Sequence, residues 1–182
     1  MRIIKIALAG ILMIVPLTLQ SQANAACSGT SPSWLAASPD EADVQSCINV
    51  AVAGDTIRVP AGAATWATSV TWTNKAISVI GAGIDQTVIT LNNNTAFIVI
   101  MNAGGTNSWR ISGFTFTGAH NMTFNITSGS VNVPTKGWRI DHIRLNSPGA
   151  NAGWLFFIHG ITWGLMDHLV IDGNPSPIAA IY

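Results

Sequence analysis

The chain has 182 residues, 48% of them hydrophobic and only 9% charged, and its eight Lys and Arg balance eight Asp and Glu. That length fits one domain. The neutral balance excludes the basic footing on which nucleic acids and anionic membranes are held, so no nucleic-acid partner is expected.

Residues 1–25 read as a secretory signal. Arg2 and Lys5 give a basic start, Ile6 to Leu19 an apolar core broken by Gly10, Pro16 and Thr18, and Ala23-Asn24-Ala25 a cleavage site. The core is too short and interrupted to cross a bilayer, so the mature chain is expected to have no membrane span. The expected location is secreted, periplasmic or extracellular. Asn24 stands where a lipid-attachment signal before Cys27 needs an apolar residue, which disfavours a lipoprotein.

Residues 26–54 are expected to form an N-terminal segment with one capping helix. Ser38-Pro39-Asp40-Glu41 has the form of a capping box with Pro at the first helical position. Val44, Cys47, Ile48 and Ala51 then fall on one helical face, and Gly54 supplies the stop. Cys27 and Cys47 are the only cysteines. In an exported chain they are expected to pair; the alternative is a buried thiol at Cys47 and a flexible one at Cys27.

Residues 55–182 carry a repeat. Ile111-Ser112-Gly113-Phe114-Thr115-Phe116, Ile140-Asp141-His142-Ile143-Arg144-Leu145 and Met166-Asp167-His168-Leu169-Val170-Ile171 follow one pattern, with a period of roughly 26 to 29 residues. An apolar run precedes each, at Phe97–Met101, Phe124–Thr127 and Leu155–His159. Each repeat therefore predicts three short strands: a leading run, a strand ending at Ile111, Ile140 or Met166, and one starting at Phe114, Ile143 or Leu169. Three strands per turn predict an all-β fold, a parallel β-helix of about four to five rungs. The final segment, Ile178 to Tyr182, reads as a leading strand with no C-terminal cap after it. The sequence is therefore expected to be the N-terminal part of a longer protein, with an incomplete β-helix.

From Asp43 to Gly83 the chain reads DVQSCINVAVAGDTIRVPAGAATWATSVTWTNKAISVIGAG. With its cap helix, Gly54-Asp55-Thr56-Ile57-Arg58-Val59-Pro60 and Ile77-Ser78-Val79-Ile80-Gly81-Ala82-Gly83, this resembles the entry of right-handed parallel β-helix proteins of the pectate-lyase-like (pectin lyase-fold) superfamily. A phosphate-binding loop at Gly81-Ala82-Gly83 is excluded, because no third glycine and no helix follow. The resemblance implies a polysaccharide partner. It leaves two functions open: part of a polysaccharide lyase or glycoside hydrolase, or a non-catalytic adhesin or carbohydrate-binding solenoid. A phage tailspike is disfavoured by the signal segment. Calcium-dependent members need clustered carboxylates and a base. No such set stands on the leading strands, so no cofactor is evident, and calcium and catalytic residues are assigned to coils of an intact protein beyond Tyr182.

Three groups of residues compete for a site. Asp141-His142 and Asp167-His168 stack by the repeat, but Gly113 takes the place of both histidines and Ser112 that of both aspartates. They are therefore read as corners with positive φ, not as metal ligands. Trp109, Trp138 and, shifted by one, Trp163 are expected to point inward as a ring ladder, leaving Arg110 and Arg139 outward as weak candidates for an acidic sugar. The superfamily carries its chemistry on the outer face of the leading strands. With Ile100, Ile126 and Ile158 taken as inward, the outward neighbours are Val99 and Met101, Asn125 and Thr127, and Phe157 and His159. Asn125, Phe157, His159 and, from the loop before the last strand, Asp172 are the candidates for sugar contact.

Overall fold

The computed structural model describes residues 26–92, 95–102, 108–118, 123–128, 134–146, 154–172 and 179–181; the expected signal segment, 1–25, lies outside them. The described chain is a β-solenoid of about four turns with mostly parallel strands. It opens with an antiparallel hairpin, β1 (Cys27–Thr30) and β2 (Ser33–Ala36), followed by helix α1 (Glu41–Val50). The coils then run β3 (Thr56–Arg58), β4 (Gly62–Trp66), β5 (Val70–Thr73), β6 (Ser78–Ile80), β7 (Thr87–Leu91) and β8 (Phe97–Met101). They continue as β9 (Arg110–Thr117), β10 (Phe124–Ser128), β11 (Thr135–Asn146), β12 (Trp154–His159), β13 (Thr162–Asp172) and β14 (Ala179–Ile181).

These strands make three faces. The leading face stacks β5, β8, β10, β12 and β14 in that order, all parallel. The middle face stacks β2, β3, β6 and the first halves of β9, β11 and β13. The trailing face stacks β4, β7 and the second halves of the same three long strands. In the early coils a loop separates middle from trailing strand. From β9 onward a single left-handed residue turns the corner instead: Gly113 at φ 79°, His142 at 51° and His168 at 51°. The corner reading of the two histidines therefore holds, and the register pairs Ser112 with Asp141 and Asp141 with Asp167 as the repeat requires.

The interior is packed by alternating inward side chains. Phe97, Phe124 and Phe156 stand in register on the leading face and stack at 5.9 Å and 5.1 Å between ring centroids. Trp109 and Trp138 stack at 5.4 Å and are buried, as expected of an inward ladder. Trp163 departs from it. A register shift between Lys136 and Trp138 sets Trp138 against Gly164 and Lys136 against Trp163. A Cβ on Gly164 would lie 2.0 Å from Trp138 Cδ2, so the indole occupies the space a side chain would need. Trp163 faces outward, 56% exposed, with Lys136 Nζ 5.2 Å from its ring centre.

The helix buries Val44, Cys47 and Ile48, with Ala51 buried just after it, on the expected face. It starts later than expected: Asp40 is its N-cap, and no side chain bonds there to the helix backbone. The Ser38 hydroxyl instead faces Asp43 Oδ2 at 2.7 Å and accepts from the Asp40 amide. Cys27 and Cys47 form a disulfide that ties the hairpin to the helix. Asp55 adds a second tie, accepting from Ser31 Oγ and Trp34 Nε1 at 2.7 Å each and from the Val52 amide at 3.0 Å. The Val52 amide, Ser31 and Trp34 together hold its pKa below the usual carboxylate range, against the effect of burial.

Candidate functional site

The leading face carries most of the residues expected to contact sugar. Alternation along β8 puts Phe97, Val99 and Met101 inside, so Ile98 and Ile100 face outward. This corrects the expected direction of Ile100, Val99 and Met101. The hairpin-free parallel register decides it: Ile126 pairs with Val99, not Ile100. The outward columns are then Thr71, Ile98, Asn125 and Phe157, and beside it Thr73, Ile100, Thr127 and His159. Neither column contains a charged side chain.

Three of the four candidates converge here. The rings of Phe157 and His159 lie 4.9 Å apart, tilted by 43°, on one strand two residues apart. Thr127 Oγ1 lies 2.7 Å from His159 Nε2, which fixes the imidazole against the neighbouring coil. Asn125 sits beside Phe157 in register, and its buried Oδ1 has no hydrogen-bond partner among the described residues. Thr127 was foreseen as outward but not as a partner of His159; the signal was its place one repeat before that histidine.

Asp172 does not join them. It ends β13 on the trailing face, in register with Asn146, and lies 3.1 Å from Arg144 Nε. Arg144 also pairs with Asp85, whose amide donates to Thr115 Oγ1 at 2.8 Å. Asp172 is thus part of an ion-pair bridge between coils, set there because β13 runs through the corner into a second face instead of stopping before it.

The arginines are engaged in a way the repeat did not show. Each one reaches diagonally to the aspartate of the next coil. Arg110 donates to Asp141 from Nε at 2.7 Å and from NH2 at 2.5 Å; Arg139 donates to Asp167 at 2.9 Å and 2.6 Å. Such bidentate forks leave little of the guanidinium for an acidic sugar. His142 and His168 then place Nδ1 at 2.6 Å and 2.9 Å from the same carboxylates. Asp141 is completely buried, and burial alone would raise its pKa. The hydrogen bonds from Arg110 and His142, with the charges of Arg110 and Arg139, outweigh that and hold it at about 2. Asp167 is lowered too, first by the Arg139 hydrogen bond. The signal in the sequence was Arg-x-Asp at 139–141 and Arg-x-Ser at 110–112, two polar residues on the same side of one strand.

Among the described residues no group of three or more His, Cys, Asp and Glu converges as metal ligands, and no helix is long and apolar enough to cross a membrane. No family model matches the chain, and neither a curated protein nor a solved structure matches it.

Proposed function

We propose that this is an exported, polysaccharide-directed β-helix protein whose described coils bind a glycan without cleaving it. The observation that carries the reading is the uncharged strip on the leading face, where Phe157 and His159 lie ring beside ring next to Asn125 and Thr127. An aromatic ring offers its face to the C–H side of a sugar, while neutral hydroxyl, amide and imidazole groups meet the sugar hydroxyls. A strip without cations suits a neutral glycan better than a uronate. Cleavage needs more. Lytic elimination calls for a base beside a neutralised carboxylate, and hydrolysis for two carboxyl groups flanking the bond. No such pair lies on this strip, since Asp172 is engaged on another face.

Export is supported by the signal-like residues 1–25 and by the disulfide, which persists in an oxidising compartment. The parallel solenoid, its helical cap and the Gly54–Pro60 entry support membership of the pectate-lyase-like superfamily. Within that family reading, a lyase or hydrolase would need an ionisable cluster on other coils.

Affinity electrophoresis through gels containing neutral or uronate polysaccharides tests the proposal. Retardation by a neutral glycan is expected, abolished by Phe157→Ala, weakened by His159→Ala and indifferent to chelator. Release of unsaturated products or new reducing ends from any of these polymers, or retardation by uronates alone, would refute it.

A further inference from the structure

Among the described residues, His159 is the one titratable side chain on the strands of the leading face; β5, β8, β10 and β14 carry none. The charged groups of β11 and β13 are held on the other two faces. Arg139 pairs there with Asp141 and Asp167, Arg144 pairs with Asp172, and Lys136 lies over the Trp163 ring. His159 itself is exposed, beside the Phe157 ring and against Thr127. The charge of the strip therefore depends on this one imidazole.

Protonation changes two things together. In neutral imidazole one nitrogen donates and the other accepts, so the Thr127 hydroxyl can meet Nε2 in either sense. In imidazolium both nitrogens donate. Thr127 Oγ1, 2.7 Å from Nε2, must then accept, and its own proton turns to whatever lies on the strip. The strip gains a positive charge and a hydroxyl donor side by side. Both favour a ligand oxygen that is negatively charged and can only accept.

We propose that His159 is a pH-dependent specificity switch: with the ring neutral the strip takes neutral sugars, and with the ring protonated it also takes an acidic sugar, through a carboxylate or sulfate oxygen. The inference rests on the glycan-binding reading above. Imidazole as a class changes charge between about pH 5 and 8, whereas a sugar carboxylate keeps its charge down to about pH 4. Between those limits the opposite charges coexist. An exposed ion pair is a modest contact, so acidification should strengthen binding of an acidic glycan about two- to fivefold.

Affinity electrophoresis at about pH 5.5 and about pH 8 reads the switch. The gels hold a polyuronate, its methyl-esterified form or a sulfated neutral glucan, and each is referred to a polymer-free gel. Retardation by the polyuronate should rise about two- to fivefold on acidification, and that by the neutral ester should stay constant. A rise in the sulfated gel as well assigns the switch to sugar oxyanions in general; its absence there assigns it to carboxylates. His159→Gln, which can still bond Thr127 but takes no charge, should lose the rise while the ester continues to retard it. His142→Gly should keep the rise, which excludes the corner histidines as its source. A rise that survives His159→Gln or is lost in His142→Gly, or no rise with either acidic polymer while the ester retards the chain, would overturn the switch alone. No retardation by any polymer at either pH would overturn the glycan-binding reading with it.

Discussion

Asp141→Asn isolates the most heavily engaged carboxylate in the molecule. Asp141 is completely buried, takes both fork nitrogens of Arg110, and lies 3.2 Å from Ser112 Oγ and 2.6 Å from His142 Nδ1. Its pKa of about 2 lies below the ordinary 3.8. A group lowered on folding stabilises above its unfolded pKa, and that stability is lost as pH falls through the folded one. The window is therefore between about pH 4 and about pH 2, and the difference corresponds to about 2 kcal/mol at neutral pH. The amide keeps one acceptor but leaves Arg110 without its counter-charge. Because Arg110 is 40% exposed it recovers some hydration, so the variant should lose about 2–3 kcal/mol, less than for a wholly buried pair. For a domain of this size that lowers the melting midpoint by about 4–10 °C. Urea unfolding followed by tryptophan fluorescence, at about pH 7 and stepwise to about pH 2, reads both effects. The gap between parent and variant should narrow by about 2 kcal/mol toward the acid end. A gap that stays constant with pH, or a variant as stable as the parent at neutral pH, would refute the ladder as a source of stability.

Reduction of Cys27–Cys47, which are 20 residues apart, should cost about 3 kcal/mol in the loop-entropy account, read by unfolding with and without reductant; a change under about 1 kcal/mol would contradict it. His142→Gly should stay within about 1 kcal/mol of the parent, because both residues accept the left-handed corner; a larger loss in thermal unfolding would mean the histidine side chain itself holds the coil. Gly81→Ala puts a Cβ 2.2 Å from the Gly113 carbonyl oxygen, and backbone cannot yield as a side chain does, so a loss of about 1–3 kcal/mol is expected. Gly164→Ala should displace the Trp138 ring, seen as a red shift in emission; an unchanged spectrum would show that the indole does not depend on that space.

The sequence by itself determined what recurs. A fixed period with apolar alternation leaves a stacked three-strand coil as the way to bury every repeat, and Gly113 aligned with two histidines marks a corner that only left-handed residues can turn. The Cys27–Cys47 pairing was legible too, because Cys47 sits on the buried stripe of an amphipathic helix. Other features depend on offsets between coils, which a period measured along one chain does not contain. Whether Ile100 or Val99 faces inward turns on a one-residue register, and one residue reverses every side chain in a strand. Trp163 left the ladder because a bulge after Lys136 moved Gly164 beneath Trp138. Asp172 left the sugar-facing candidates because β13 continues through its corner onto another face. The arginine–aspartate forks run diagonally, from one coil to the next, and a linear pattern shows the two partners only as neighbours on a single strand. Stacking alone brings Arg110 to Asp141 and Arg139 to Asp167, and with them the rings of His142 and His168 face to face.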